Sequence, residues 1–265
     1  MKDSDTAGIF TERLEQNLQK NSGWQQRDYL GLSHVTRHSC KRRMYFEAFA
    51  EYSEMPAVNG LSKCREGYVL ERDLQEQIKE AGFELRLMGQ EFLPFPGFKK
   101  IRFHIDGLLR IDGIWYLLEI KHRNNHKFIK FLQEKIPNET YDQVQGYLHF
   151  LRPPRFNPPV NRAMLLVKNI ETGQMAAILL KYNYIVGIKL QKILLEMRKH
   201  IEAKRVPERG FEVGAKACKY CPYVGYCGEA DEREAEAMAE RTVIITREMA
   251  MDAGDLGMQG HEWRI

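Results

Sequence analysis

The chain has no apolar run approaching the roughly 18–20 residues that a membrane span requires. Its opening, MKDSDTAGIF, is polar where a secretion signal would be apolar. A soluble protein of a reducing, cytoplasmic compartment is therefore expected. Prolines are few, ten in 265 residues, and neither repeats nor low-complexity blocks occur, which excludes pervasive disorder and solenoid architectures. Neither charge dominates: 40 Lys and Arg against 36 Asp and Glu leave +4, too mild to demand a polyanionic partner. Five cysteines, an odd number, do not suit a disulfide framework in a reducing compartment. The phosphate-binding pattern G-x-x-x-x-G-K-[ST] is absent, so no helicase motor is encoded. What remains is a chain long enough to bury a core without staples, to be read as one elaborated domain or two small ones.

Periodicity then divides the chain. Ile9 to Lys20 is polar and compatible with a peripheral helix. Ser33 to about Tyr52 contains no Pro or Gly and reads as one helix with Cys40 inside it. Val69, Leu70, Leu74 and Ile78 recur at helical spacing up to Gly82. The middle changes period: FELRLMGQEFLPF and KKIRFHIDGLLRI alternate as strands do. Asp112-Gly113 marks a two-residue hairpin turn, because both positions favour positive φ, and IWYLLEIK is the returning strand. NETYDQVQGYLHFL is helical until the prolines that follow. AMLLVKNI and MAAILLKY form a second hairpin, and a long helix runs from Ile185 to about Ala203. This order suggests an α/β or α+β fold built on a central mixed sheet flanked by helices.

One pair of strands carries chemistry. Glu119 and Lys121, two apart, project from one strand face, and the hairpin brings Asp106 alongside them. Carboxylates converging at the end of apolar strands repel one another unless a cation lies between them, and oxygen donors suit Mg²⁺ or Mn²⁺. Lys121 then stands where an ammonium orients a nucleophile and offsets developing charge. Such an arrangement cleaves phosphodiesters.

With Asp106, Glu119 and Lys121 as a D…ExK signature, the sequence resembles the PD-(D/E)xK nuclease superfamily in its RecB-type branch. Two further motifs agree. Gly67-x-x-x-Glu71 matches the upstream helix whose last residue joins the metal site, with Glu71 where many relatives carry His. Gln143-x-x-x-Tyr147 matches the motif on the helix after the catalytic strand, its two side chains on one face. The resemblance covers about residues 33–228 and implies a restriction-endonuclease-like core. It also implies a cation held by Glu71, Asp106, Glu119 and the Ile120 backbone carbonyl, with Gln143 and Tyr147 contacting DNA. His104 is a competing ligand candidate.

Cys218, Cys221 and Cys227 are closely spaced, and Cys40 stands far upstream. Four thiolates can complete a tetrahedral zinc site or a [4Fe–4S] cluster. The resemblance favours the cluster, since the AddB nuclease domain and CRISPR-associated exonucleases carry this one-plus-three pattern. It would tie the first core helix to the C-terminal segment. Cys64 is left as a bystander. Residues 1–32 are then an N-terminal appendage, 33–228 the nuclease domain and 229–265 a charged helical tail.

The expected activity is a Mg²⁺- or Mn²⁺-dependent DNA exonuclease acting on single-stranded ends, 5′ to 3′, in recombination, repair or phage DNA processing. A bacterial cytoplasm, or that of a phage's host, follows. A CRISPR spacer-processing subunit with an integrase partner is the alternative, and a non-catalytic cluster-bearing DNA-binding module the second. Lys41, Arg42 and Arg43, with Lys99 and Lys100, are the expected phosphate contacts.

Overall fold

The computed structural model describes residues 3–20, 27–37, 40–52, 58–133, 136–152, 159–212, 214–219 and 221–233. Two compact units divide the chain, Met1–Phe211 and Glu212–Ile265.

The first unit begins with α1 (Asp3–Lys20), β1 (Leu30–Gly31), α2 (Leu32–Arg37) and α3 (Lys41–Glu47). A 3₁₀ turn (Ala50–Tyr52) and the long α4 (Val58–Glu80) follow. The strands β2 (Glu84–Arg86), β3 (Glu91–Phe92), β4 (Ile101–His104), β5 (Gly107–Ile111) and β6 (Ile114–Arg123) come next. Then come α5 (Asn125–Gln133), α6 (Asn138–Phe150), β7 (Arg162–Asn169), β8 (Met175–Lys181) and α7 (Tyr184–Glu202). A five-stranded sheet has the order β2-β5-β6-β7-β8, with β6 and β7 parallel and the other pairs antiparallel. A small sheet, β1-β4-β3, stands apart from it in hydrogen bonding. The expected mixed sheet flanked by helices is what forms. No helix among the described residues is long and apolar enough to cross a membrane.

Strand alternation decides which helix covers which face. Leu118 and Ile120 of β6 and Leu109 of β5 bury against Leu74 of α4, with Ile78, Leu85, Met164 and Leu166 around them. The opposite face of β6 carries Leu117, Glu119 and Lys121, and α6 packs on β6 and β7 there. Gly146 lets α6 sit tight against α2 and α7: a Cβ at this position would lie 2.6 Å from Leu32 Cδ2 and 3.3 Å from Leu190 Cδ1. Burial of α6 places Gln143 and Tyr147 over the strand that bears Glu119.

Three expectations about elements are corrected. KKIRFHIDGLLRI is two strands, β4 and β5, in different sheets. Burial alternates through Ile101, Phe103, Ile105 and Gly107, then breaks at Leu108, which is buried between two buried neighbours. The chain changes sheets at Asp106. FELRLMGQEFLPF likewise breaks into β2 and β3 around Leu87 and Gly89, with φ of 56° and 62°. The segment from Ser33 to Tyr52 is α2, α3 and the 3₁₀ turn; Cys40 is the extended residue capping α3, with φ −83° and ψ 110°, and does not lie within a helix. Two short helices with different buried sets, Leu32 and Val35 in one and Arg42, Met44, Tyr45 and Phe46 in the other, replace one amphipathic face.

In the second unit Cys221 N–H donates to the Cys218 carbonyl at 3.0 Å, and Cys227 N–H to that of Tyr223 at 2.9 Å. Residues 224–233 are helical. Most of the tail expected to be helical, 234–265, lies outside the described residues.

Candidate active site

The turn at Asp112-Gly113, with φ of 48° and 79°, sets the register of the β5/β6 hairpin, in which Gly107 faces Leu118. Asp106, one residue before β5, therefore arrives beside Glu119 and Ile120. Its Oδ2 accepts the Ile120 N–H at 2.6 Å. A strand residue's N–H and C=O point to the same side, so the Ile120 carbonyl also faces Asp106. Glu119 is 1% exposed; its Oε1 pairs with Lys121 Nζ. Its Oε2 is buried without a hydrogen-bond partner.

Glu71 joins from α4 across the sheet end. Burial and then the Glu119 charge raise its pKa, against Lys121. Burial, Glu119 and Glu71 push the Asp106 carboxyl well above the usual range, against Lys121 and the Ile120 N–H. Burial works against the Lys121 charge, but the Glu119 and Asp106 carboxylates outweigh it and hold the ammonium pKa up. Three acids thus share one cation, and the acids are the unsatisfied party.

Tyr147 is buried, and its hydroxyl accepts from Gln143 Nε2 at 3.1 Å. Burial, then the Glu119 charge, drives its pKa well up, so it stays a phenol. Gln75, one turn beyond Glu71 on α4, is a further residue of the site that lies outside the sequence motifs. Its buried amide donates to the Asp106 carbonyl at 2.8 Å and to Glu71 Oε1 at 3.3 Å, tying the helix carboxylate to the backbone of the strand carboxylate. The i, i+4 spacing from Glu71 was the available signal. Groups that orient metal ligands in this way change metal affinity by roughly 10–100-fold when removed. On the expected reading of Glu71 and Asp106 as metal ligands, a Gln75→Leu variant needs about 10–100 times more Mn²⁺ for half-maximal cleavage, with cleavage at saturating Mn²⁺ much less affected. An unchanged Mn²⁺ requirement would remove Gln75 from the site.

Other expected residues are placed elsewhere. His104 stacks on Tyr29, ring centroids 5.5 Å apart, and lies 3.6 Å from Glu91, so it does not join the carboxylates. Its strand belongs to the other sheet. Arg42 is 2% exposed and donates to the Pro207 carbonyl at 2.7 Å; this corrects its reading as a phosphate contact, since no guanidinium surface is left. Lys41 pairs with Glu196 at 2.5 Å and Arg43 with Glu47 at 3.2 Å. Lys100 donates to the Asp28 carbonyl at 3.1 Å. Lys99 is exposed. Cys64 is exposed on α4, and the four other cysteines are half-buried; none is in a disulfide.

Among the described residues, no group of three or more His, Cys, Asp or Glu side chains is placed to hold a metal ion. Fit to a cation rests on donor chemistry. Two carboxyls, Glu71 and Asp106, pushed up by burial and the Glu119 charge, and a buried Glu119 oxygen without a partner, make a hard-oxygen set suited to a divalent ion.

No protein-family model matches the chain, and no curated protein sequence does. The solved structure of SSO0001 is similar over 82% of this chain and 95% of its own, at 17% identity and a TM-score of 0.47. The alkaline exonuclease LHK-Exo from Laribacter hongkongensis matches over 68% of this chain and 92% of its own, at 14% identity and a TM-score of 0.47. The same exonuclease in complex with dAMP matches at 13% identity, covering 68% and 90%, with a TM-score of 0.47.

Proposed function

We propose that the chain is a Mg²⁺- or Mn²⁺-dependent DNA exonuclease that hydrolyses phosphodiester bonds at single-stranded ends, 5′ to 3′, in recombination, repair or phage DNA processing. The observation that carries this reading is the convergence of Asp106, Glu119 and Glu71 with Lys121 where the chain crosses between sheets. Glu71, Asp106, Glu119 and the Ile120 carbonyl would hold the cation. A divalent ion there supplies neutralisation of phosphate charge and acidification of an attacking water.

The chain's own groups do the rest. Lys121 keeps its proton, so its N–H bonds are available to orient the attacking water and to meet charge developing on the phosphate. Glu119 Oε1 steers that ammonium while Oε2 stays available. Tyr147 remains a hydroxyl donor held by Gln143, and both sit on the helix face above Glu119, where a substrate strand would pass. Gln75 positions Glu71.

Cys40, Cys218, Cys221 and Cys227 are proposed as ligands of a [4Fe–4S] cluster, with zinc as the alternative. What supports this is four cysteines, none of them in a disulfide, in the one-plus-three spacing. A cluster predicts brown, iron-containing protein absorbing near about 400 nm after anaerobic purification; colourless protein with stoichiometric zinc would refute it.

Digestion of 5′- and 3′-labelled single- and double-stranded DNA with Mn²⁺ tests the activity. Loss of the 5′ label as mononucleotide from single strands is the expected product, and an Asp106→Asn protein is the control. Wild-type protein that cleaves no DNA with either ion would overturn the reading.

A further inference from the structure

Lys121 does not end the positive charge on its strand face. Arg123, two residues on, shares that face, and two hollows open around the pair. One, of about 310 Å³, runs along α5 past Lys127 and Lys130. The other, of about 160 Å³, runs towards Arg37, Ser33 and Thr36 of α2. Lys121, Arg123, Glu139 and Thr140 line both. Five cations therefore line two adjoining hollows whose walls hold a single carboxylate, Glu139.

The character of the walls selects the ligand. Among the described residues Arg123 makes one hydrogen bond, from Nη1 to the His122 carbonyl at 3.0 Å, against five N–H donors on a guanidinium. Burial lowers its pKa, Glu139 opposes this, and Arg37 adds to it. A dianionic or monoanionic oxygen ligand would relieve that crowding of charge. The start of α6 at Glu139 and Thr140 adds the partial positive charge of a helix N-terminus. Aromatic surface for stacking a base is lacking: Phe131, the one aromatic residue lining either hollow, is buried. The hollows are suited to phosphates and not to nucleobases.

We infer that the two hollows are successive subsites for the phosphates of one polynucleotide strand, gripped through its backbone irrespective of base, with Glu139 as the counter-charge that an arriving phosphate displaces from Arg123. The inference rests on the nuclease reading for its connection to Lys121 and cleavage, though the cation cluster stands without it.

Binding of fluorescein-labelled dT15 and dA15 to the full chain, in EDTA and across a salt series, tests it. For single strands the slope of log affinity against log salt is about −0.7 per phosphate contact. Lys127→Gln with Lys130→Gln, both in a helix with exposed basic side chains, should flatten that slope by about 1.4 and weaken dT15 and dA15 alike. Arg37→Gln should flatten it by about 0.7. Glu139→Gln should bind several-fold tighter, and inorganic polyphosphate should compete in all cases. Lys192→Gln on α7, exposed and lining neither hollow, is the surface-charge control, and Lys127→Arg with Lys130→Arg should restore binding. An unchanged slope in the double variant, a loss confined to one homopolymer, or no binding by wild type would overturn the assignment. The two readings fail separately. Cleavage with Mn²⁺ that is indifferent to Lys127, Lys130 and Arg37 sinks the groove and spares the nuclease. Groove-dependent binding by a wild type that cleaves no DNA does the reverse.

Discussion

Asp106→Asn protein is expected to lose cleavage by about 10³-fold or more and yet to withstand heat better than wild type in EDTA. The substitution changes charge while sparing geometry: an asparagine oxygen can still accept the Ile120 N–H that Asp106 Oδ2 accepts at 2.6 Å. What disappears is a carboxylate on which burial and the Glu119 and Glu71 charges bear together beside a single ammonium. Sites assembled for chemistry hold such conflicts, and relieving one commonly adds about 0.5–2 kcal/mol. Thermal unfolding in EDTA at pH 8 checks the gain. Asp106→Asn protein that melts below wild type there would mean that the acidic cluster is not in conflict.

Acidity should move the same balance. The Asp106 pKa is higher in the folded chain than in the unfolded one, so its contribution favours folding at pH values below the ordinary carboxylate range and fades as pH rises through the folded value. In EDTA, wild type should therefore lose part of its advantage on going from about pH 4 upward, and Asp106→Asn should flatten that loss. Adding Mn²⁺ should reverse the trend. An ion that binds only the folded chain stabilises by about 2.7 kcal/mol at a hundred times its dissociation constant. It competes with protons for the same oxygens, so the rise in melting temperature on adding Mn²⁺ should grow with pH.

The chemistry-bearing residues on β6 could be read from the sequence because strand geometry is local. A two-residue turn at Asp112-Gly113 places residues equidistant from it opposite one another, and the side-chain period of two does the rest. Asp106 and Glu119 are each six positions from the turn. The same alternation rule reads residues 101–111 as one strand, since burial keeps alternating through Gly107 and breaks only at Leu108. Asp106 lies between the two strands, outside either ladder, and turns to the Ile120 N–H. Gln75 and the basic hollows were missed for a different cause. Arg37, Arg123 and Lys127 come from α2, β6 and α5, and only the packing of α6 between them makes one surface. Runs of adjacent charge drew attention to residues 41–43 instead, where one arginine is interior.

That interior arginine carries the second large effect. Replacing Arg42 with Ala should lower stability by about 2–4 kcal/mol, or roughly 5–15 °C in the melting midpoint, while DNA binding by the protein that stays folded is unchanged. The side chain is 2% exposed, and Met44, Tyr45, Phe46 and Glu47 of the same short helix are buried with it. Its Nε donates to the Pro207 carbonyl at 2.7 Å, and alanine would leave both a cavity and an unanswered carbonyl. Three residues further on, a Cβ at Gly210 would lie 3.1 Å from Cys40 Cα, so the segment leaving α7 is held against the start of α3 at two points. Arg42→Lys should recover little, because a single ammonium on a flexible stem does not reproduce the planar guanidinium's fit. The opposite outcome, an unchanged melting midpoint with weakened binding of dT15, would return Arg42 to the phosphate contacts and require the helix to open at that position.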